Sequence, residues 1–271
     1  MTRPHMRPDS VLSPLGCQLH DWNVAARPTP RASARVRGLI VDLDDTLYPH
    51  EAFVHSGLMA VARHVEETKS VTAMDAFAVL AAARRTRAGR ELQALCAHFG
   101  WEEREVPGLL AVYRGHLPNL RLPRASADVL TELRRDGWRL VVLTNGLPLV
   151  QDAKVKALGL APLVDAVIYA EEQATGGKPA DAAFRAALSA LGLPARQCVC
   201  VGDDVVCDIG GAQAQGLQTV WLNPSLVSLE GCSGASRDRT GRAGTPNATI
   251  STIEELPSVL SRLTMVMTDA A

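Results

Sequence analysis

Five short apolar runs, most of them separated by helix-length stretches, limit what this chain can fold into more than any other feature. They fall at residues 39–41, 139–143, 166–169, 198–201 and 218–222. Runs this short and this uniformly apolar read as strands buried on both faces. Between them lie helical patterns. Val129, Leu130 and Leu133 share a face that ends at Asp136-Gly137, with Ser126 placed to cap it, and the stretches 148–158 and 181–191 end at Gly159 and Gly192. A further helix is expected over 209–215. Strands alternating with helices through short connections predict a parallel sheet with helices on both faces. Ligands of such sheets sit beyond the carboxyl ends of the strands. Asp42, Thr144, Lys178 and Asp203 all stand at or just past such ends.

Residues 51–122 break the alternation. They carry no strand signal and predict helices over 51–68, 71–87, 91–99 and 103–115, with Phe53, Leu58, Val61 and Val65 on one face of the first. This block reads as an all-helical insertion within a core made of 37–50 and 123–263. Met59, Met74 and the aromatic residues read as core. Residues 1–36, with Pro4, Pro8, Pro14, Pro28 and Pro30, are expected to form a mobile leader. The Gly-, Ser- and Arg-rich stretch 224–247 is expected to be a flexible loop, and a last helix is predicted over 253–263 with 264–271 frayed. A net charge of -1 suggests no bulk attraction to nucleic acid or membrane, and no apolar run approaches the ~20 residues of a membrane span. The six cysteines form no CxxC pair and no regular framework, which favours buried thiols in a reducing cytoplasm over disulfides or structural zinc.

The first run leads straight into Asp42-Leu43-Asp44-Asp45-Thr46. Strand geometry would put Asp42 and Asp44 on one face, and a turn there can still bring both to one reacting atom. A surface loop in which Asp44 or Asp45 caps the next helix accounts for one acid but poorly for three. Three converging carboxylates repel one another, and a bound cation is the simple remedy. Oxygen donors without His or Cys favour Mg2+. Thr144 offers a hydroxyl beside backbone N–H groups for an oxyanion, and Lys178 offers a fixed positive charge. A carboxylate nucleophile, a second acid, a hydroxyl, a lysine and a metal together suit phosphoryl transfer.

Residues 38–223, and less closely 250–260, resemble a haloacid dehalogenase superfamily hydrolase with a helical cap inserted after its first motif. The family's DxDxT is matched by Asp42, Asp44 and Thr46, and its Thr or Ser by Thr144 in Leu143-Thr144-Asn145-Gly146. Its lysine is matched by Lys178-Pro179, and its GDxxxxD by Gly202, Asp203 and Asp208. The resemblance implies an α/β, Rossmann-like core with residues 51–122 as a mobile cap. It makes Asp42 the nucleophile that forms an aspartyl-phosphate, and Asp44 the proton donor and later the base. Thr144 and the Asn145 backbone would hold phosphoryl oxygens, and Lys178 would neutralise their charge. Mg2+ would be bound by Asp42, Asp203 and the backbone carbonyl of Asp44. Asp208 would contact the metal directly or through water, or orient Lys178, with Asp204 a rival; Asp45 would be a helix or turn residue. The dehalogenating branch lacks an acid at the second position, so Asp44 implies phosphate-ester hydrolysis. The expected activity is that of a magnesium-dependent phosphomonoesterase acting on a small phosphorylated metabolite, such as a nucleoside 5'-monophosphate or sugar phosphate, as a monomer or homodimer. A phosphomutase would use the same residues. The intact set of Asp42, Asp44, Lys178 and Asp203 argues against a non-catalytic phosphate-binding regulator.

Within the cap, Arg84, Arg85, Arg87 and Arg90 could recognise an anion, although a solvated helix face explains them more simply. His50, His55 and His116 invite the same two readings, and His116, just before Leu117-Pro118, is expected at a hinge or in packing rather than in catalysis. Tyr48-Pro49 resembles the nucleotidase-like branch with a pyrimidine nucleotide substrate, but a dipeptide assigns nothing.

Overall fold

The computed structural model describes residues 37–172, 176–225 and 244–269. The expected leader and most of the expected 224–247 loop lie outside these residues. The strands are β1 (Arg37–Val41), β2 (Trp138–Thr144), β3 (Ala166–Tyr169), β4 (Cys198–Gly202), β5 (Gln218–Leu222) and β6 (Ala248–Ile250). They form one parallel sheet in the order β3-β2-β1-β4-β5-β6. The chain builds outward from β1 to β3 on one side, then returns to lay β4 against the other edge of β1. That reversal opens a crevice between β1 and β4, where ligands of doubly wound sheets bind.

Strand alternation sorts the apolar side chains into two layers. Leu39, Val41, Leu140, Val142, Val199, Val201 and Val220 face α5 (Arg124–Arg135), α6 (Pro148–Ala157) and α9 (Leu256–Asp269). Ile40, Val141, Leu143, Cys198 and Cys200 face α7 (Asp181–Leu191) and α8 (Gly211–Ala214), where Phe184 is fully buried. Between β1 and α5 the chain makes α1 (His50–Thr68), α2 (Ala73–Thr86), α3 (Glu91–Phe99) and α4 (Val106–Gly115), which pack around a core of their own that includes Val61, Val65, Leu80 and Leu95. None of the helices among the described residues is long and apolar enough to cross a membrane.

Several local expectations are corrected. The apolar runs predict five strands, but Ala248–Ile250 adds a sixth on the outer edge of β5. Ser126 does not cap a helix: α5 begins earlier, at Arg124, and the buried Ser126 hydroxyl donates 2.7 Å to the carbonyl of Leu47. The helix expected over 209–215 is split, with a π-helical turn over Val205–Gly210 leading into the short α8. Met74 is 82% exposed and so is not core. The last helix runs on to Asp269 where fraying was expected.

The Ser126 bond ties α5 to the turn after β1, and its loss would leave a buried carbonyl unpaired. Ser126→Ala is expected to lower unfolding stability by about 1–3 kcal/mol in urea titrations. An unchanged midpoint would show that the bond contributes nothing net.

Candidate active site

The crevice between β1 and β4 gathers most of the charged residues of the motifs. The Asp42 N–H donates to the carbonyl of Val201 at 3.0 Å, so the nucleophile candidate is held by β4 as well as by its own strand. The buried Lys178 Nζ donates 2.5 Å to Asp42 Oδ1 and 2.6 Å to Asp208 Oδ1. Asn145 fixes this lysine from the end of β2: its Oδ1 accepts from the Lys178 N–H at 2.7 Å, and its Nδ2 donates to the Lys178 carbonyl at 3.1 Å. A Cβ on Gly177 would collide with the Asn145 amide, which is why the residue before the lysine carries no side chain. Gly202 is constrained in the same way, since a Cβ there would fall on the Asp208 carboxylate. Asp208 Oδ2 accepts from the Asp204 N–H at 3.1 Å, and the Asp203 carbonyl accepts from Trp221 Nε1 at 2.9 Å. Thr46 Oγ1 donates to Asp203 Oδ1 at 3.4 Å.

Carboxylate oxygens of Asp42, Asp203 and Asp208 lie within 4.8 Å of one another. At an effective dielectric near 20, each ionised pair at that separation repels by about 3 kcal/mol. Lys178 alone cannot offset three such charges. Burial, followed by the charge of Asp42, pushes the Asp203 carboxyl up to about 6. Burial and the neighbouring Asp208 also raise Asp42, against the pull of Lys178. Burial opposes the charge on Lys178, but Asp42 and Asp208 outweigh it and hold the ammonium protonated. A cluster of oxygen donors with excess negative charge fits a hard divalent cation. Asp208 has both oxygens committed, to Lys178 and to the Asp204 N–H, so it is placed to aim the lysine.

Asp44 lies outside this cluster, in a cage of donors. Its Oδ1 accepts from the Tyr48 hydroxyl at 2.5 Å and lies 2.9 Å from His50 Nδ1. Its Oδ2 accepts from Gln151 Nε2 at 2.9 Å, and Lys154 Nζ reaches both oxygens at 2.8 Å. Burial alone would raise this carboxyl, but His50, Lys154 and Tyr48 together hold it well below the usual carboxylate range. Gln151 Nε2 also donates 2.5 Å to Thr144 Oγ1, so one amide links the hydroxyl at the end of β2 to the second acid. Neither Gln151 nor Lys154 is expected from the sequence to belong to the site. Both lie on the inward face of α6, which continues through Val155.

The other candidates fall outside this constellation. Asp45, in the left-handed region at φ 57°, accepts from the His50 N–H at 2.9 Å and serves the first turn of α1. Asp204 accepts from the N–H groups of Val206 and Cys207 and closes its own turn. Arg84 is engaged with Glu51 and Glu91, and Arg85, Arg87 and Arg90 are exposed. His116 packs on Phe53 and contacts Ser56 Oγ and the Tyr113 carbonyl, while His55 stacks edge-on against Phe77.

A family model described as haloacid dehalogenase-like hydrolase matches residues 36–216. The ribulose-1,5-bisphosphate 5-phosphatase of Halopiger xanaduensis is 31% identical over 241 residues, covering 82% of this chain and 98% of that protein. The phosphoserine phosphatase of Thermus thermophilus is 34% identical over 219 residues, covering 80% and 82%. Among solved structures, the magnesium-bound HAD-hydrolase YfnB of Bacillus subtilis aligns with a TM-score of 0.60 at 23% identity, over 83% of this chain and 99% of that one, a likeness of fold.

The acid cluster has a measurable consequence. A carboxyl raised above its unfolded value keeps a proton in the folded protein that the unfolded chain has already released, so stability falls as pH rises through that interval. Asp203, raised from 3.8 to about 6, places the fall between about pH 4 and pH 6, and the raised Asp42 adds to it in the same direction. Asp44, held low, contributes only below that window. With chelator present, the melting temperature is expected to drop as pH is raised from ~4 to ~7. Added Mg2+ should restore it most at the upper end. A chelated protein whose melting point does not fall over this range would contradict the shared field of the three acids.

Proposed function

We propose, on the premise that this chain belongs to the haloacid dehalogenase-like hydrolases and is a phosphatase among them, that it hydrolyses a small phosphorylated metabolite with Mg2+ through an aspartyl-phosphate on Asp42. The observation that carries the reading is the Lys178 ammonium bridging Asp42 and Asp208, with Asp203 alongside. In the first step an Asp42 oxygen attacks phosphorus and the bond to the leaving oxygen breaks. Asp44 supplies the proton to that oxygen. A phosphoryl dianion set beside Asp44 opposes its ionisation, which is how an acid held low in the resting protein acquires its proton. In the second step water attacks phosphorus, Asp44 takes the water's proton, and Asp42 leaves as a carboxylate. The Thr144 hydroxyl and Asn145 N–H receive phosphoryl oxygens, and Lys178 offsets charge as it builds. The donors fit Mg2+, which Asp42, Asp203 and the Asp44 carbonyl would hold and which would supply Lewis-acid neutralisation of the phosphoryl charge.

A sugar phosphate or nucleoside 5'-monophosphate is the substrate class this reading favours. The relatives named for ribulose 1,5-bisphosphate and phosphoserine point to small metabolites. A cavity of about 380 Å3 among the cap helices, where His50, Arg84, Glu91, Tyr113 and Arg114 join apolar residues such as Leu58 and Leu110, is of a size suited to a compact leaving group.

Purified protein with Mg2+ is expected to release inorganic phosphate from 4-nitrophenyl phosphate and to lose that activity in chelator. Asp42→Asn is expected to reduce turnover by more than about a thousandfold. Equal phosphate release by the variant and the parent would remove Asp42 as nucleophile. Isomerised sugar phosphate without net phosphate release would replace the phosphatase reading with that of a mutase.

A further inference from the structure

Lys154 is 3% exposed, and its ammonium donates to both oxygens of Asp44 at 2.8 Å and lies 4.4 Å from the ring centroid of Phe53. A buried ion pair is weak grounds for stability, since packed apolar side chains of similar volume generally do as well. Position 154 faces inward beside Val155, where an apolar residue would serve α6 equally well. The lysine therefore calls for another explanation, and its geometry supplies one. Its two bonds, with that of Gln151, fix the plane and direction of a carboxylate in its charged form, which is the form that accepts a proton. The aromatic face of Phe53 stabilises the ammonium from the cap side. Gln151 ties the same carboxylate to Thr144, beside the place where the phosphoryl group is expected.

We propose that Lys154, supported by Gln151, is a positioning residue for the second half-reaction, presenting the Asp44 carboxylate to the water that hydrolyses the phosphoryl-Asp42 intermediate. In that step the water oxygen bonds to phosphorus, the bond from phosphorus to Asp42 breaks, and the water's proton passes to Asp44. The inference rests on the two-step reading above. It predicts that the two halves of the reaction respond unequally to loss of the lysine. Formation of the intermediate from an ester whose leaving group needs no proton does not depend on Asp44, and its breakdown does.

The test uses the full chain with Mg2+ and 2,4-dinitrophenyl phosphate, comparing Lys154→Met with the parent. The expected result is a kcat lower by about a hundredfold, as misplaced catalytic groups typically cost. kcat/KM should stay within about threefold, and a rapid burst of about one phenolate per chain should precede the slow phase. A parallel fall in kcat and kcat/KM would assign Lys154 to folding or to phosphate binding, and an unchanged kcat would make it idle; either outcome overturns the proposal. Gln151→Met, which leaves the ion pair intact, should show the same pattern in weaker form and serves as the test if Lys154→Met does not fold. Asp44→Asn separates the two levels. Burst and slow turnover in Asp44→Asn but not in the Lys154 and Gln151 variants would defeat this inference alone. Their absence in Asp44→Asn would defeat the role of Asp44 as base, and this inference with it.

Discussion

The ammonium of Lys178 sits between Asp42 and Asp208, with Asp203 nearby, so one buried positive charge faces three carboxylates at the mouth of a parallel sheet. Much of the surrounding architecture serves this contact. Asn145 grips the lysine's backbone from the end of β2, Gly177 and Gly202 leave room for the groups pressed against them, and β5 steadies the loop of Asp203 through Trp221. The arrangement carries more negative charge than it can neutralise alone. A hard divalent cation would complement that excess.

The second acid lives in a different environment. Asp42 has one cation to share with two other carboxylates, whereas Asp44, two residues on, has Lys154 to itself along with Tyr48, His50 and Gln151. Two aspartates of the same motif are thereby driven in opposite directions, one up and one down. Unlike environments for like groups are what a nucleophile and a proton carrier need if they are to divide their work. The cage also spans the molecule, because His50 belongs to the first cap helix while Gln151 and Lys154 belong to the core.

The positions of Asp42, Asp44, Thr144, Lys178, Asp203 and Asp208 were readable because each follows an apolar run or falls in a motif at its end, and topology alone carries such positions to one edge of the sheet. Gln151 and Lys154 were harder to see, since polar residues on a helix ordinarily mean solvent. A signal was nevertheless present: Gln151, Lys154, Val155 and Leu158 follow the i, i+3, i+4, i+7 spacing of an inward face, and the first two are polar at inward positions. The role of the Asn145 side chain was hidden for a different reason, as it depends on where the cis-linked Lys178-Pro179 segment passes in space. β6 escaped because three residues at a sheet edge show too little periodicity.

The sheet order also governs when the site can exist. β1 lies in the middle, and its register pairs Arg37 with Trp138 on one side and Gly38 with Cys198 on the other. At ribosomal rates of about 5–20 residues per second, the central strand waits on the order of 5–20 seconds for its first neighbour. The helices of the insertion are made in that interval and can pack against one another without the sheet. The lysine that meets Asp42 appears only after roughly two-thirds of the chain has been made. Completion of the site in a growing chain is therefore a late marker: Asp42 is synthesised early, and its lysine partner arrives long after it.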